Sequence, residues 1–228
     1  MLDATIETLY MSCVSLFISW IIAMPLGSFV SETRPGGLFP NKVINFVLNR
    51  IIDVGRSIPF ILLVVFMFPV TRALIGTAIG TTAMIVPLTV CDIPFEARLI
   101  EEILSEVPYS IIEAAKIDGA SNLKIIVRIK WACKFPYLVN AIGITLINII
   151  GYSAMAGVVG GGGLGNYAIV YGFQRFNWSI IAQAVVIIVI VVCIIQIINN
   201  LLVRFLLWRC LCIKHYSFSY LPACLCLR

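Results

Sequence analysis

Glu113-Ala114-Ala115-Lys116-Ile117-Asp118-Gly119-Ala120-Ser121 lies within the chain's one long polar interruption, residues 92–136. Six of the sixteen Lys and Arg fall there (Arg98, Lys116, Lys124, Arg128, Lys130, Lys134), with seven of the eleven acids (Asp92, Glu96, Glu101, Glu102, Glu106, Glu113, Asp118). The sequence on either side is mostly hydrocarbon-compatible. A loop of such mixed charge between apolar segments is built to touch something in water, and that contrast decides the fold.

At 228 residues, 61% hydrophobic and 12% charged, the chain is too apolar for a soluble domain of its size. Five apolar runs approach the roughly 20 residues a helix needs to cross a bilayer: residues 9–30, 51–70, 73–91, 137–157 and 178–207. Pro69, Pro87 and several glycines interrupt the second and third, but bent membrane helices are tolerated where neighbouring protein re-satisfies the freed backbone groups. The expected fold class is therefore an all-α integral membrane protein of about five transmembrane helices, with short cytoplasmic helices in the polar loop. Asp3 and Glu7 precede the first run where a signal peptide would have basic residues. No small-x-small cleavage site follows, so the run reads as a retained span.

In a soluble protein the net charge of +5 would suggest nucleic acid. Here topology explains it better, and no nucleic-acid partner is expected. With five spans starting outside, 14 basic residues fall on the cytoplasmic side and two, Arg72 and Arg175, outside. The positive-inside rule then puts the N-terminus out and the C-terminus in. An extra pair of crossings would keep that count.

The eight cysteines follow no disulfide logic. Cys13, Cys91 and Cys193 fall in or beside spans and read as small apolar side chains; Cys133 is on the reducing side. The tail, residues 210–228, is expected to be cytoplasmic and carries Cys210-x-Cys212, His215 and Cys224-x-Cys226. Zinc is conceivable there, but structural zinc wants two to four residues between paired cysteines. The tail reads as an extension, and no metal is expected.

Along the chain, the first span is expected to end near Pro25 and Gly27, before a turn-rich link with Pro35, Gly36, Gly37 and Pro40. A helix-compatible pattern begins at Lys42. Arg50, Asp53 and Arg56 stack on one of its faces, where Asp53 can pair with either arginine. They are either an interfacial ion cluster or buried groups on a transport path. Pro59 should kink or break the second span. Gly76-x-x-x-Gly80 has the spacing that lets membrane helices approach closely. In the polar loop, Pro94 suits the start of one helix and Pro108 both ends it and opens the next. The apolar face of that next helix is Ile111, Ile112, Ala115 and, less strictly, Ile117. Gly119 stops it, and Ser121 can cap a third helix through Ile125, Ile126, Ile129 and Trp131. The central Ala114 and Ala115 form a face that would let a partner come near the backbone, with Glu113 and Lys116 orienting the contact.

Glu113-Ala114-Ala115, three residues, then Gly119-Ala120-Ser121, in a cytoplasmic loop before the penultimate span, resembles the coupling motif of type I ABC importer permeases. Gly55-Arg56-Ser57-Ile58-Pro59-Phe60, Pro87-Leu88-Thr89-Val90 and Pro94-Phe95-x-Ala97-Arg98 resemble its methionine-importer branch. So do Ile150-Gly151-Tyr152-Ser153-Ala154-Met155-x-Gly157, Gly162-Gly163-Leu164-Gly165 and Tyr171-Gly172. The likeness covers about residues 6–209. It implies a multi-pass permease domain, residues 1–209 with coupling loop 92–136, in the bacterial inner membrane. It also implies a homodimer, two cytosolic ATP-binding subunits, and a periplasmic or lipid-anchored substrate-binding protein. By the resemblance, Glu113, Ala114, Ala115 and Gly119 transmit ATPase closure. Tyr152, Ser153, Met155 and Gly157 line the translocation path, with Met155 a candidate gate. On residue type alone Met155 is core filler, but its small neighbours leave a flexible side chain room to swing. The family's proline thirteen residues after the motif glycine is here Ala132, so the exit from the loop is expected to run on as helix.

Gly160-x-Gly162-x-x-Gly165 matches a dinucleotide fingerprint in form only, since it follows a span and lacks a βαβ unit. It reads as a flexible outer-face loop near the pathway. No nucleophile–base pair suggests itself, so the chain is expected to be no enzyme and to carry no cofactor, ATP being bound by its partner. The rival readings are a permease for another amino acid or osmoprotectant, an ion-coupled secondary transporter and a non-transporting scaffold. The secondary transporter would need inverted repeats and ionisable groups at mid-membrane. No repeat is visible, and mid-span acids are missing from the five runs apart from Asp53.

Overall fold

The computed structural model describes residues 1–216, with side chains through Trp208. The metal reading of the tail concerns side chains outside those described. Among the described residues every element is helical.

Helix α1, Leu2–Thr33, passes through Pro25 without stopping. Its second half is held by packing: a Cβ added at Gly27 would lie 2.5 Å from the Ala97 carbonyl oxygen. The buried face of α1 is built from small and hydroxyl residues, among them Ala4, Thr8, Ser12, Ser15, Ser19, Ala23, Gly27 and Ser31. Their spacing of three or four residues keeps them on one side, and their size lets α4 approach closely.

Helix α4, Thr81–Ser105, runs unbroken through Pro87 and Pro94. Pro94 therefore does not open a helix, contrary to its place in the punctuation. One consequence reaches further. Asp92, Glu96 and Glu101, expected in a water-side loop, are each 0% exposed. They lie on a helix packed along α1, where Ser19 donates to Asp92 Oδ2 at 3.2 Å. Buried acids do stand in the helical body after all.

Asn41 caps helix α2, Lys42–Ser57, accepting from the amides of Val43 and Ile44. Helix α3, Phe60–Ile75, leaves it at 101°, so the run 51–70 breaks where Pro59 predicted. Asp53 forms no ion pair with its neighbours among the described residues. Arg50 lies over the Phe46 ring at 5.2 Å and Arg56 over Phe95 at 5.8 Å. Aromatic faces take both cations instead. Gly76 and Gly80 also depart from the packing reading. Both have positive φ, they bound the turn between α3 and α4, and nothing lies within 4 Å of an added Cβ at either.

Beyond α4 come α5, Tyr109–Ile117, then α6, Asn122–Lys124, a π-helical turn Ile125–Lys130, and α7, Trp131–Cys133. Ala132 thus continues the helix, and the chain bends at Lys134, one residue before α8, Phe135–Ala156. A 3-10 turn, Gly157–Val159, leads to α9, Gly163–Tyr167, and to α10, Trp178–Tyr216. By length and composition, three stretches can cross a membrane: Leu2–Thr33, Asn122–Val159 and Trp178–Trp208. The bent pair α2–α3 adds a fourth if counted as one span. The expected run 73–91 is cut by the turn at Gly76, and its second half continues into charged sequence.

The core has three clusters. Met11, Leu63, Val64, Met84, Leu88 and Ile149 fill one end, and Ala23, Val30, Ile52, Ile100, Leu104 and Leu138 the other. The third, Leu38, Ile112, Ala115 and Ile125, fastens α5 to the bundle.

Candidate coupling and translocation sites

Pro108 precedes α5 as the sequence predicts, and Gly119 ends it with φ +77. That left-handed conformation suits glycine. The Ala120 amide folds back to the Ala115 carbonyl at 3.0 Å and the Gly119 amide to Lys116. Ser121 stands at the next N-cap but makes no side-chain capping bond.

Ile111, Ile112 and Ala115 turn inward, while Glu113, Ala114, Lys116, Asp118 and Gly119 are exposed. The two alanines are therefore on different faces: Ala115 seats the helix and Ala114 leaves the outer face low. Ile117 is not part of the buried face at all, being 81% exposed, and Leu123 nearby is 74% exposed. An exposed isoleucine at the end of α5 and an exposed leucine in α6 add apolar surface on the C-terminal side of Glu113 and Ala114, which residue type alone did not disclose.

Beneath α5 lies an ion pair whose acid, Glu32, the sequence reading did not single out. Glu32, in the last turn of α1, is 0% exposed and ion-paired with Lys130, itself 3% exposed. Its other oxygen accepts from the Leu38 amide at 3.1 Å. Glu101 takes Arg34 at 3.0 Å and Arg98 at 2.8 Å, and Arg98 also donates to Asn49 Oδ1 at 2.6 Å. An acid just past the apolar part of a span was the available signal for Glu32. Beside this joint a cavity of about 560 Å³ opens, lined by Ser31, Arg34, Asn45, Tyr109, Ile112 and Lys130 among others.

The second group lies at the far end of α8. Tyr152 stacks on Phe60, centroids 5.1 Å apart and planes within 19°. Ser153 is buried, donating to the Ile150 carbonyl at 2.7 Å. Gly157 is buried against the backbone of Gly165 and Asn166, leaving no space for a side chain. Met155 is 52% exposed, so it leaves the packed side that Ser153 and Gly157 share. Tyr137, Ile144, Gly151 and Met155 are exposed along α8 at near-heptad spacing, one stripe uncovered by the single chain.

The glycine run after α8 is not a loose loop. The Gly163 amide donates to Glu7 Oε2 at 2.8 Å and the Leu164 amide to Thr8 Oγ1 at 2.9 Å. A Cβ at Gly162 would meet Thr81 Oγ1 at 2.6 Å. Gly162 and Gly163, both at positive φ, bring backbone against the starts of α1 and α4 where a side chain would not fit. Among the described residues no three His, Cys, Asp or Glu converge as metal ligands would.

An apolar helical body with one short helix, α5, presenting an exposed polar face defines a class. The chain belongs to the family of binding-protein-dependent transport system inner membrane components, whose model matches residues 23–207. It is thus a multi-pass inner-membrane transport subunit and not an enzyme. Within that family it is 46% identical over 204 residues to a Vibrio cholerae protein named a probable D-methionine transport system permease, MetI; the match covers 90% of this chain and 91% of the relative. It is 45% identical over 151 residues to the D-methionine transport system permease MetI of Escherichia coli K12, covering 66% and 70%. An inward-facing structure of the MetNI methionine ABC transporter aligns with TM-score 0.88 at 41% identity over 90% of this chain and 95% of that one. An amino acid ABC transporter solved with histidines, 18% identical with TM-score 0.70, shares the fold.

Proposed function

We propose that this chain is the membrane-spanning subunit of an ATP-driven importer for methionine. The observation that carries the reading is identity of 46% across 90% of the chain to a protein named for D-methionine transport, joined to an exposed α5 bearing Glu113 and Ala114. Two copies form the pathway, with α8's uncovered stripe turned toward the second copy. Two ATP-binding subunits dock on Glu113, Ala114 and Gly119 of each α5, while Ala115 holds that helix to the body. A periplasmic or lipid-anchored binding protein delivers substrate. Five crossings, the first half of α4 joining the four apolar stretches, with the N-terminus out and α5 in the cytoplasm, satisfy the 14-to-2 distribution of basic residues. Residues 1–209 are the permease domain, 92–136 its coupling loop.

The mechanism is rigid-body coupling. ATP draws the ATPase subunits together, the docked helices follow, and the spans exchange inward-facing for outward-facing access. Tyr152 against α3 and Gly157 against α9 hold the end of α8 firm, Ser153 is buried beside them, and Met155 swings as the flexible closure. The ammonium and carboxylate of free methionine need no charged partner on this chain if the binding protein selects the substrate. Reconstitution with the cognate ATPase and binding protein should give ATP-dependent methionine uptake, competed by unlabelled methionine. Uptake of another amino acid that methionine fails to compete would favour the rival permease reading.

A further inference from the structure

The joint beneath α5 has a feature that exposure of the coupling face does not require. Glu32 is fully buried at the end of α1, and its two carboxylate oxygens hold two different segments. One oxygen pairs with Lys130, the last residue of the π-helical turn Ile125–Lys130. The other accepts the amide of Leu38, in the link between α1 and α2. Both segments also touch α5, for Leu38 and Ile125 pack with Ile112 and Ala115 in one cluster. Beside the pair the 560 Å³ cavity, lined by Arg34, Tyr109, Ile112 and Lys130 itself, leaves open space next to α5. Chain connectivity ties α5 to α4 and, through α6 and α7, to α8. Nothing covalent ties it directly to α1.

We infer that Glu32 is the positioning residue that fixes the ATPase-facing helix to the first span, by clamping Lys130 and the Leu38 amide at once. This rests on the coupling role proposed above for α5. A buried pair of this kind contributes little net stability compared with apolar residues of similar size. What it supplies is a directional link, short and charge-assisted, where a hydrophobic contact could slide. With the clamp in place, displacement of α5 carries the end of α1 with it. Without it, α5 can shift into the open cavity while the spans stay put.

The test compares the parent chain, Glu32→Gln, and the doubly neutral Glu32→Gln/Lys130→Met, each co-expressed with the cognate ATPase and reconstituted with the binding protein. Glu32→Gln alone strands a buried ammonium and can fail to fold; the double variant removes both charges. The double variant should co-purify with the ATPase and hydrolyse ATP as the parent does, yet import about tenfold less methionine per ATP. An unchanged ratio of import to hydrolysis would overturn the inference, and so would failure of the double variant to assemble, which would make the pair a folding requirement. Glu113→Arg in the same assay separates the two readings. If Glu113→Arg imports normally, the coupling role of α5 fails. If Glu113→Arg loses import while the double variant keeps the parent ratio, only the clamp fails.

Discussion

Gly27, Gly151 and Gly157 are identical side chains with three different duties. Gly27 lets α4 touch α1, Gly157 lets α9 touch α8, and Gly151 faces open space. Gly27→Val should destabilise the subunit by about 1–3 kcal/mol, since the blocking atom is backbone, read as a lower unfolding temperature in detergent. Gly151→Leu should leave that temperature unchanged and weaken self-association, measured by size-exclusion chromatography, if the stripe is where two copies meet. Met155 belongs at this scale too. Being half exposed at the end of α8 and set among small residues, it can be shortened without opening a cavity. Met155→Ala should raise methionine leak without ATP, and unchanged leak would return the residue to packing. The sequence disclosed these residues unevenly. Only Gly76-x-x-x-Gly80 was legible as small-residue spacing, and which glycines met a neighbour depended on where the helices went. Gly76 and Gly80, with the better motif, proved to be turn residues.

At the scale of the element, most of α5 could be read directly. Pro108 and Gly119 act locally, through fixed φ and freedom at positive φ, so they mark the ends of α5 in any context. Pro59 marked its break for the same reason. Pro25, Pro87 and Pro94 did not end helices, because tight packing between α1 and α4 carries the chain past a missing hydrogen bond. That same packing buries Asp92, Glu96 and Glu101, which charge alone assigned to water. Burial of acids between two helices is a tertiary fact with no local signature. For α5 the expectation is direct: Gly119→Pro removes an amide that closes the helix and forbids positive φ. Membrane insertion measured by fractionation should be normal, and methionine uptake lost. Wild-type uptake by this variant would mean that the helix end does not matter to coupling.

The molecule as a whole is a bundle in which α1 and α4 form the inner pair and α10 lies largely uncovered, only 6% of its most apolar window being buried. A single copy leaves large apolar side chains exposed on α2, α3 and α10, among them Phe46, Phe66 and Ile190. Lipid and a second copy can both cover such surface. The proposed function assigns the α8 stripe to the second copy and α10 chiefly to lipid, so cross-links from residue 144 or 155 should join two chains and those from residue 190 should not. The proposed function makes α5 the point where motion enters, and everything else depends on that. The most direct test is methionine uptake driven by ATP in proteoliposomes holding the complete transporter, with parent chain or Glu113→Arg in equal amount. Uptake by the parent and its loss in Glu113→Arg, with the ATPase no longer retained on the permease, is the result the account predicts. Equal uptake by both, with the ATPase still bound, would contradict it.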